Sequence, residues 1–380
     1  MSICNKNNIF EYATSELSHD AFIAWLVSYS YENTSQDDVK MSELSKRFVD
    51  ELLTKDSYGN KIIDVSNLKL KSVERQWKRI DVLANYGDSK FILIEDKLLT
   101  SEHNEQIKKY KDLVLANENF QTDETSICCV YYKIYEECWD QSDEKKYINI
   151  VNRKRLIEFF GNDENKVIVQ GNIILQSYYN FLLSIEDKYK FNKPISQWSD
   201  LTYAGYYQYL VANKLENIDW IIWKWTHRPS GGQYICSWST TELQTLVNKL
   251  LIIKVANNYL ENIYFNLDHG KNYKGYDTVL MLNIRVSFFK SVSELKEMGA
   301  NEKVKELRVI LQEEVDKYKG EKNVDLVFLR KDFRLGKTTS LGFFPYTEIE
   351  NFKDCYKHAM IIAERFIKRI NKEYDKFSLQ

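Results

Sequence analysis

Lys78-Arg79-Ile80-Asp81-Val82-Leu83-Ala84 is followed, after Asn85-Tyr86-Gly87-Asp88, by Lys90-Phe91-Ile92-Leu93-Ile94-Glu95-Asp96-Lys97. Both runs are short, apolar and bounded by turn formers, which predicts two strands joined as a hairpin. If residues 81 and 95 pair directly, 83 faces 93, 85 faces 91, and the loop runs from Tyr86 to Lys90. Asp81, Glu95 and Lys97 then share one face of the sheet. Directly opposed residues have Cβ atoms only ~5 Å apart, so two carboxylates placed there repel. A bound cation reverses the sign of that interaction.

Around the hairpin the period changes. In residues 16–31, Phe22, Trp25, Leu26 and Tyr29 recur at helical spacing, with Ser15 or Ser18 available as a cap. A second helix is predicted over 41–54 and a third over 102–116. Strands are predicted at 125–135 and 147–152, and helices at 154–160 and 170–188. The order is that of an α/β domain with a mixed sheet flanked by helices, spanning 1–190. The second half, 191–380, has another texture. Five of the eight tryptophans lie between 198 and 238, and Arg228-Pro229-Ser230-Gly231-Gly232 marks a turn between aromatic-rich runs. Strands are predicted at 261–267, 277–288, 324–330 and 339–344, and helices at 241–258, 292–319 and 347–374. Together they describe a C-terminal α+β domain.

Oxygen ligands on the hairpin suit Mg²⁺ or Mn²⁺, and no His or Cys cluster converges there to suggest zinc. Lys97, one strand repeat beyond Glu95, reaches an attacking water or a phosphate oxygen. The set fits metal-assisted phosphodiester hydrolysis. Asp96 points the other way. Its carbonyl is a candidate metal ligand, and its side chain is expected near solvent at the strand end, because a charge facing a core is costly. Gln106 and Tyr110 share one helical face, which returns over the site if the helix starts just after Lys97.

These residues resemble a known family. Asp81, with the apolar strand ending Ile94-Glu95-Asp96-Lys97, resembles the motif of the PD-(D/E)XK nuclease superfamily. Gln106-Ile107-Lys108-Lys109-Tyr110 resembles the Q-x-x-x-Y extension of its RecB-like branch. Glu16-Leu17-Ser18-His19-Asp20 resembles the opening of a bacterial PD-(D/E)XK family linked to defence against foreign DNA. The resemblance covers roughly 10–190 and is weaker at Arg228 to Trp238. It implies a restriction-endonuclease-like core, a nucleic-acid substrate (DNA by preference) and Mg²⁺ or Mn²⁺ as cofactor. Asp81 and Glu95 would bind the metal, Lys97 would be catalytic, Gln106 and Tyr110 would assist, and Glu16 would complete the metal shell. The C-terminal domain is expected to recognise substrate, sense a signal or mediate self-association as a homo-oligomer; a further reading is a regulatory or toxin-like subunit whose activity needs a partner protein. Two departures stand out: Ile80 replaces the motif's proline, and Asp96 adds a third acid.

Other roles fit the same residues. Glu95 and Lys97 also make a salt pair on a solvated strand. Glu16 also suits a helix N-terminus. His19 fits a metal ligand or a capping, solvated side chain, and Tyr110 fits a core. Arg75, Lys78, Arg79, Lys108, Lys109 and Lys111 fit a phosphate track or a solvated face. The tryptophans fit base stacking or core packing. A rival class keeps the fold as an inactive nucleic-acid-binding or scaffolding module.

Composition narrows the field. Over 380 residues, 44% are hydrophobic and 28% charged, as in globular proteins, and the length suits two domains. The formal net charge of −2 lends no support to a small basic DNA-binding module. The six cysteines form no C-x-x-C pair and read as buried free thiols in a reducing cytoplasm. No run has the apolar length of a membrane span, and the first residues lack a signal-peptide pattern.

Overall fold

The computed structural model describes residues 8–13, 15–31, 39–55, 60–87, 89–98, 105–136, 148–228, 231–252, 260–273 and 275–373. The chain divides into two compact units, Met1–Lys188 and Tyr189–Gln380.

In the first unit, α1 (Glu16–Ser28) and α2 (Val39–Leu53) precede three antiparallel strands, β1 (Leu70–Trp77), β2 (Ile80–Tyr86) and β3 (Lys90–Lys97). Then come α3 (Gln106–Leu115), β4 (Ile127–Lys133), β5 (Ile148–Asn152), α4 (Arg153–Gly161), α5 (Asp163–Gly171) and α6 (Ile173–Lys188). The sheet order is β1-β2-β3-β4-β5, and β4 and β5 run parallel to β3, so the sheet is mixed. β3 lies at its centre and is buried from Phe91 to Lys97, which accounts for its unbroken apolar run.

The register pairs Leu83 with Leu93 and Asn85 with Phe91, as alternation requires. Pairing continues to Tyr86 and Lys90, so the loop is shorter than expected. β1 was not expected at all. It joins β2 through Lys78-Arg79, both at positive φ, in a two-residue hairpin turn. That turn breaks the run predicted as one strand from Lys78. Ser15 takes the N-cap position of α1, but its hydroxyl caps no backbone N–H and meets Ser18 Oγ instead. On one side of the sheet, Ile107, Tyr110 and Val114 of α3 pack with Leu83, Phe91, Leu93, Cys129 and Tyr131. These are the inward positions of a period-2 pattern meeting a helical one.

The second unit opens with α7 (Asp200–Asn213), which was not expected, and continues with β6 (Ile218–Arg228), β7 (Gly231–Thr240) and α8 (Thr241–Ile252). After these come β8 (Leu260–Tyr273), β9 (Tyr276–Phe288), α9 (Val292–Glu297), α10 (Ala300–Lys322), β10 (Thr338–Tyr346) and α11 (Phe352–Lys372). The strands form an antiparallel sheet in the order β10-β9-β8-β7-β6. The predicted strand at 324–330 is absent apart from one bridge, Leu329 to Phe343. Its residues are β-prone but extend no ladder. Trp198, Trp223 and Trp238 are buried, and Trp238 Nε1 donates to the Tyr356 hydroxyl on α11. Core packing therefore accounts for these three rings. Among the described residues, Cys128, Cys129, Cys236 and Cys355 are buried free thiols, and no helix is long and apolar enough to cross a membrane.

Candidate active site

The strand ends and the first turn of α1 bring Glu16, Asp81, Glu95 and Lys97 together. Lys97 Nζ is 2.5 Å from Glu95 Oε1 and 4.0 Å from Glu16 Oε2. Glu16 Oε1 also accepts the Leu98 backbone N–H at 3.3 Å. Asp81 is held at both oxygens. Oδ2 accepts the Asp96 backbone N–H at 2.9 Å, and Oδ1 accepts from Gln76 Nε2 at 3.0 Å. A pairing of Glu95 with Lys97 on a solvated strand does not describe this cluster, because both residues are buried.

The electrostatics follow from that burial. The Glu95 carboxyl is pushed up to about 8, first by burial and then by the neighbouring Asp81 charge. Asp81 is also raised, by burial, against the opposing pull of Lys97 and the Asp96 and Gln76 hydrogen bonds. Burial alone draws the Lys97 ammonium down, but Glu95, Glu16 and Asp81 outweigh it and the net shift is upward. The lysine thus stays a cation among carboxylates that are individually reluctant to ionise.

α3 begins at Gln106, later than expected, and residues 99–104 lie outside the described residues. Its inner face nevertheless returns to the site. Gln106 Nε2 donates to the Tyr110 hydroxyl at 2.7 Å, and that phenol is raised first by burial and further by the Glu95 and Asp81 charges. Tyr110 is at once a core residue and a group within electrostatic reach of Glu95 and Asp81.

Asp96 departs from expectation. Its side chain is fully buried rather than near solvent, and neither carboxylate oxygen has a hydrogen-bond partner. The reason is α1, which packs against β1, β2 and β3 and lays His19 and Asp20 over the strand end. Burial first, and then the Asp20 and Asp81 charges, lift the Asp96 carboxyl well above the ordinary range, which favours its neutral form. Its side chain is thereby taken away from the Glu95 and Lys97 face, and only its backbone joins the site. His19 is neither a cap nor solvated. Its ring is fully buried against Phe10, Tyr178 and Phe181, with Nδ1 4.0 Å from Asp96 Oδ2, and burial pulls it down to about 4.

Two residues absent from the sequence-based set also stand here. Gln76 Nε2 donates to Asp20 Oδ2 at 2.9 Å as well as to Asp81. Asp20 is fully buried and pushed up to about 7, by burial and then by Asp81. The spacing of Glu16 and Asp20 by one helical turn was the available signal for Asp20. Gln76 gave none without β1.

Among the described residues, no three His, Cys, Asp or Glu are already gathered into a finished metal shell. The donor set still fits a hard divalent cation. It consists of oxygens, and the fully buried Glu95 carboxyl sits against the Lys97 ammonium and the Asp81 carboxylate. A cation between Asp81 and Glu95 would relieve the Asp81 repulsion that helps to raise Glu95.

The model of the PD-(D/E)XK nuclease superfamily matches residues 7–228. The chain belongs to the PD-(D/E)XK nuclease superfamily. Its mixed sheet flanked by helices accords with the restriction-endonuclease-like core of that superfamily, and the match runs past Lys188 to the end of β6. No curated protein and no solved structure matches the chain. Within the PD-(D/E)XK pattern, Ile80 stands in place of the proline. It is fully buried and pairs with Trp77, so an apolar residue serves the strand start.

Proposed function

We propose that this member of the nuclease superfamily hydrolyses phosphodiester bonds of DNA with Mg²⁺ or Mn²⁺, using the first unit as the catalytic domain. The observation that carries this reading is the convergence of Asp81, Glu95, Glu16 and Lys97 at the end of β3, with the fully buried Glu95 carboxyl held between the Lys97 ammonium and Asp81. Asp81 and Glu95 hold the cation, and the Asp96 carbonyl and Glu16 complete its shell. When bound, the cation polarises the phosphate and offsets the charge that grows on it.

The chain's own groups supply the rest. The Lys97 ammonium holds the attacking water and stabilises the developing charge. Gln106 donates to the Tyr110 oxygen, which leaves the phenolic proton available to a phosphate oxygen or a water. This pair supports the RecB-like assignment. Lys78, Arg79, Lys108 and Lys109 are exposed on the same hairpin and helix and supply charge for a phosphate backbone. The second unit takes the role of substrate recognition, sensing or self-association.

The test is a time course on plasmid and on single-stranded DNA, with Mg²⁺ and with chelator, for wild type, Lys97→Ala and Glu95→Ala. Metal-dependent cleavage lost in both variants is expected. Cleavage that survives chelator and is equal in wild type and Lys97→Ala refutes this reading. DNA binding with no cleavage under any condition favours an inactive module.

A further inference from the structure

Gln76 enters the site through the hairpin that carries Asp81. The flanking pairs Arg75 with Val82 and Trp77 with Ile80 leave Gln76 directly across from Asp81. Its single amide nitrogen lies 3.0 Å from Asp81 Oδ1 and 2.9 Å from Asp20 Oδ2. That nitrogen carries two protons, so both bonds form at once. With Asp96 N–H on Oδ2, each oxygen of Asp81 is fixed by a neutral donor. The far end of the tie is anchored in the interior, because Asp20 is fully buried and its remaining oxygen has no partner.

The backbone is bent to bring this about. Gln76 has φ +56°, a left-handed conformation that residues other than glycine, asparagine and aspartate rarely adopt. Such strain persists only where surrounding structure holds it, and it concentrates at functional sites.

We propose that Gln76 is a positioning residue of the nuclease centre: its amide ties Asp81 to the buried Asp20 and so holds the Asp81 carboxylate oriented to receive a divalent cation. The proposal rests on Asp81 being a metal ligand. An amide suits the task for a specific reason. Lys or Arg in its place would fix Asp81 equally well, but would neutralise it and repel the cation. A carboxylate would add repulsion to Asp20 and Asp81. Only a neutral donor with two protons orients Asp81 and leaves its charge intact.

The decisive variant is Gln76→Asn. Asparagine accepts positive φ more readily than glutamine, so the backbone is relieved rather than burdened. Its side chain is one methylene shorter and cannot span both carboxylates. The melting temperature in chelator is expected to stay nearly level, because relief of the left-handed backbone at Gln76 offsets the hydrogen bond lost from Asp20. The Mn²⁺ dissociation constant, read from the electron paramagnetic resonance of free Mn²⁺, should weaken ~10–100-fold, the usual effect of removing a partner of a ligating group. Asp20→Asn keeps an acceptor for Gln76 and should change Mn²⁺ affinity by less than ~3-fold, whereas Asp20→Ala should match Gln76→Asn.

A purely structural Gln76 predicts the reverse pattern, with altered melting and unaltered Mn²⁺ binding. Wild-type Mn²⁺ affinity in Gln76→Asn overturns the proposal while leaving the metal centre standing, provided that Glu95→Ala binds none. Absence of Mn²⁺ binding by the wild type overturns both.

Discussion

Glu95→Gln separates the electrostatics of the site from its packing. In the folded, metal-free chain the Glu95 carboxyl is pushed up to about 8 from an ordinary 4.5, by burial and then by Asp81. An acid raised in this way favours its protonated form on folding. Its contribution to stability is therefore intact below the unfolded value, declines as pH rises, and levels off above about 8. At ~1.4 kcal/mol per tenfold change in proton affinity, the decline between about pH 5 and about pH 8.5 comes to roughly 4 kcal/mol.

The substituted amide would carry no proton to lose in this range, so the variant should escape this decline. The Lys97 ion pair forms only with ionised Glu95, and its opposing pull is already contained in the value of about 8. For a unit of this size, ~4 kcal/mol corresponds to roughly 10 °C in melting temperature. The assay is calorimetry in chelator at both pH values. The difference between variant and wild type should shift by about that much in the variant's favour on going from acid to base. Added Mg²⁺ should then restore the wild type at the higher pH and leave the variant largely unmoved. A variant-to-wild-type difference that stays constant across the two pH values refutes the placement of Glu95 in a repelling, water-poor pair.

Other outcomes follow from the same geometry. Mg²⁺ or Mn²⁺ should raise the wild-type melting temperature by binding only the folded state, and Asp81→Asn should weaken that response; identical thermal shifts in both count against a site here. Lys97→Ala should keep metal-induced stabilisation yet lower the cleavage rate ~10²–10³-fold, measured under single-turnover conditions. Tyr110→Phe preserves the packed ring and removes only the phenolic proton, so cleavage should fall less than in Lys97→Ala while melting hardly moves. In the second unit, a Cβ added at Gly205 would stand 1.9 Å from the Tyr189 carbonyl oxygen, so Gly205→Ala should destabilise by more than ~3 kcal/mol in denaturant unfolding.

The hairpin at Ile80–Lys97 was legible because period-2 alternation and a turn between two apolar runs leave only one register that buries both. That alone set Leu83 against Leu93 and Asn85 against Phe91. The Gln106 and Tyr110 pair was legible for a similar reason, since a four-residue spacing on a helix is local geometry.

What the sequence by itself could not decide depends on which helix covers which strand end. Asp96 reads as a solvent-facing acid at the end of a strand, and it becomes a fully buried one because α1 crosses there and brings His19 and Asp20 with it. β1 has mixed polarity and scarcely any alternation, with a burial pattern nearly all exposed or intermediate, so only its ladder with β2 reveals it. Gln76, one residue of that strand, acquires its place opposite Asp81 from the same ladder. Conversely, 324–330 has strand-like composition but meets the sheet at one bridge only. Local pattern is written in side-chain polarity along the chain. Burial of a charge, and the partner of an amide across a sheet edge, are set by contacts between residues far apart in sequence, and these exist only once the chain has folded.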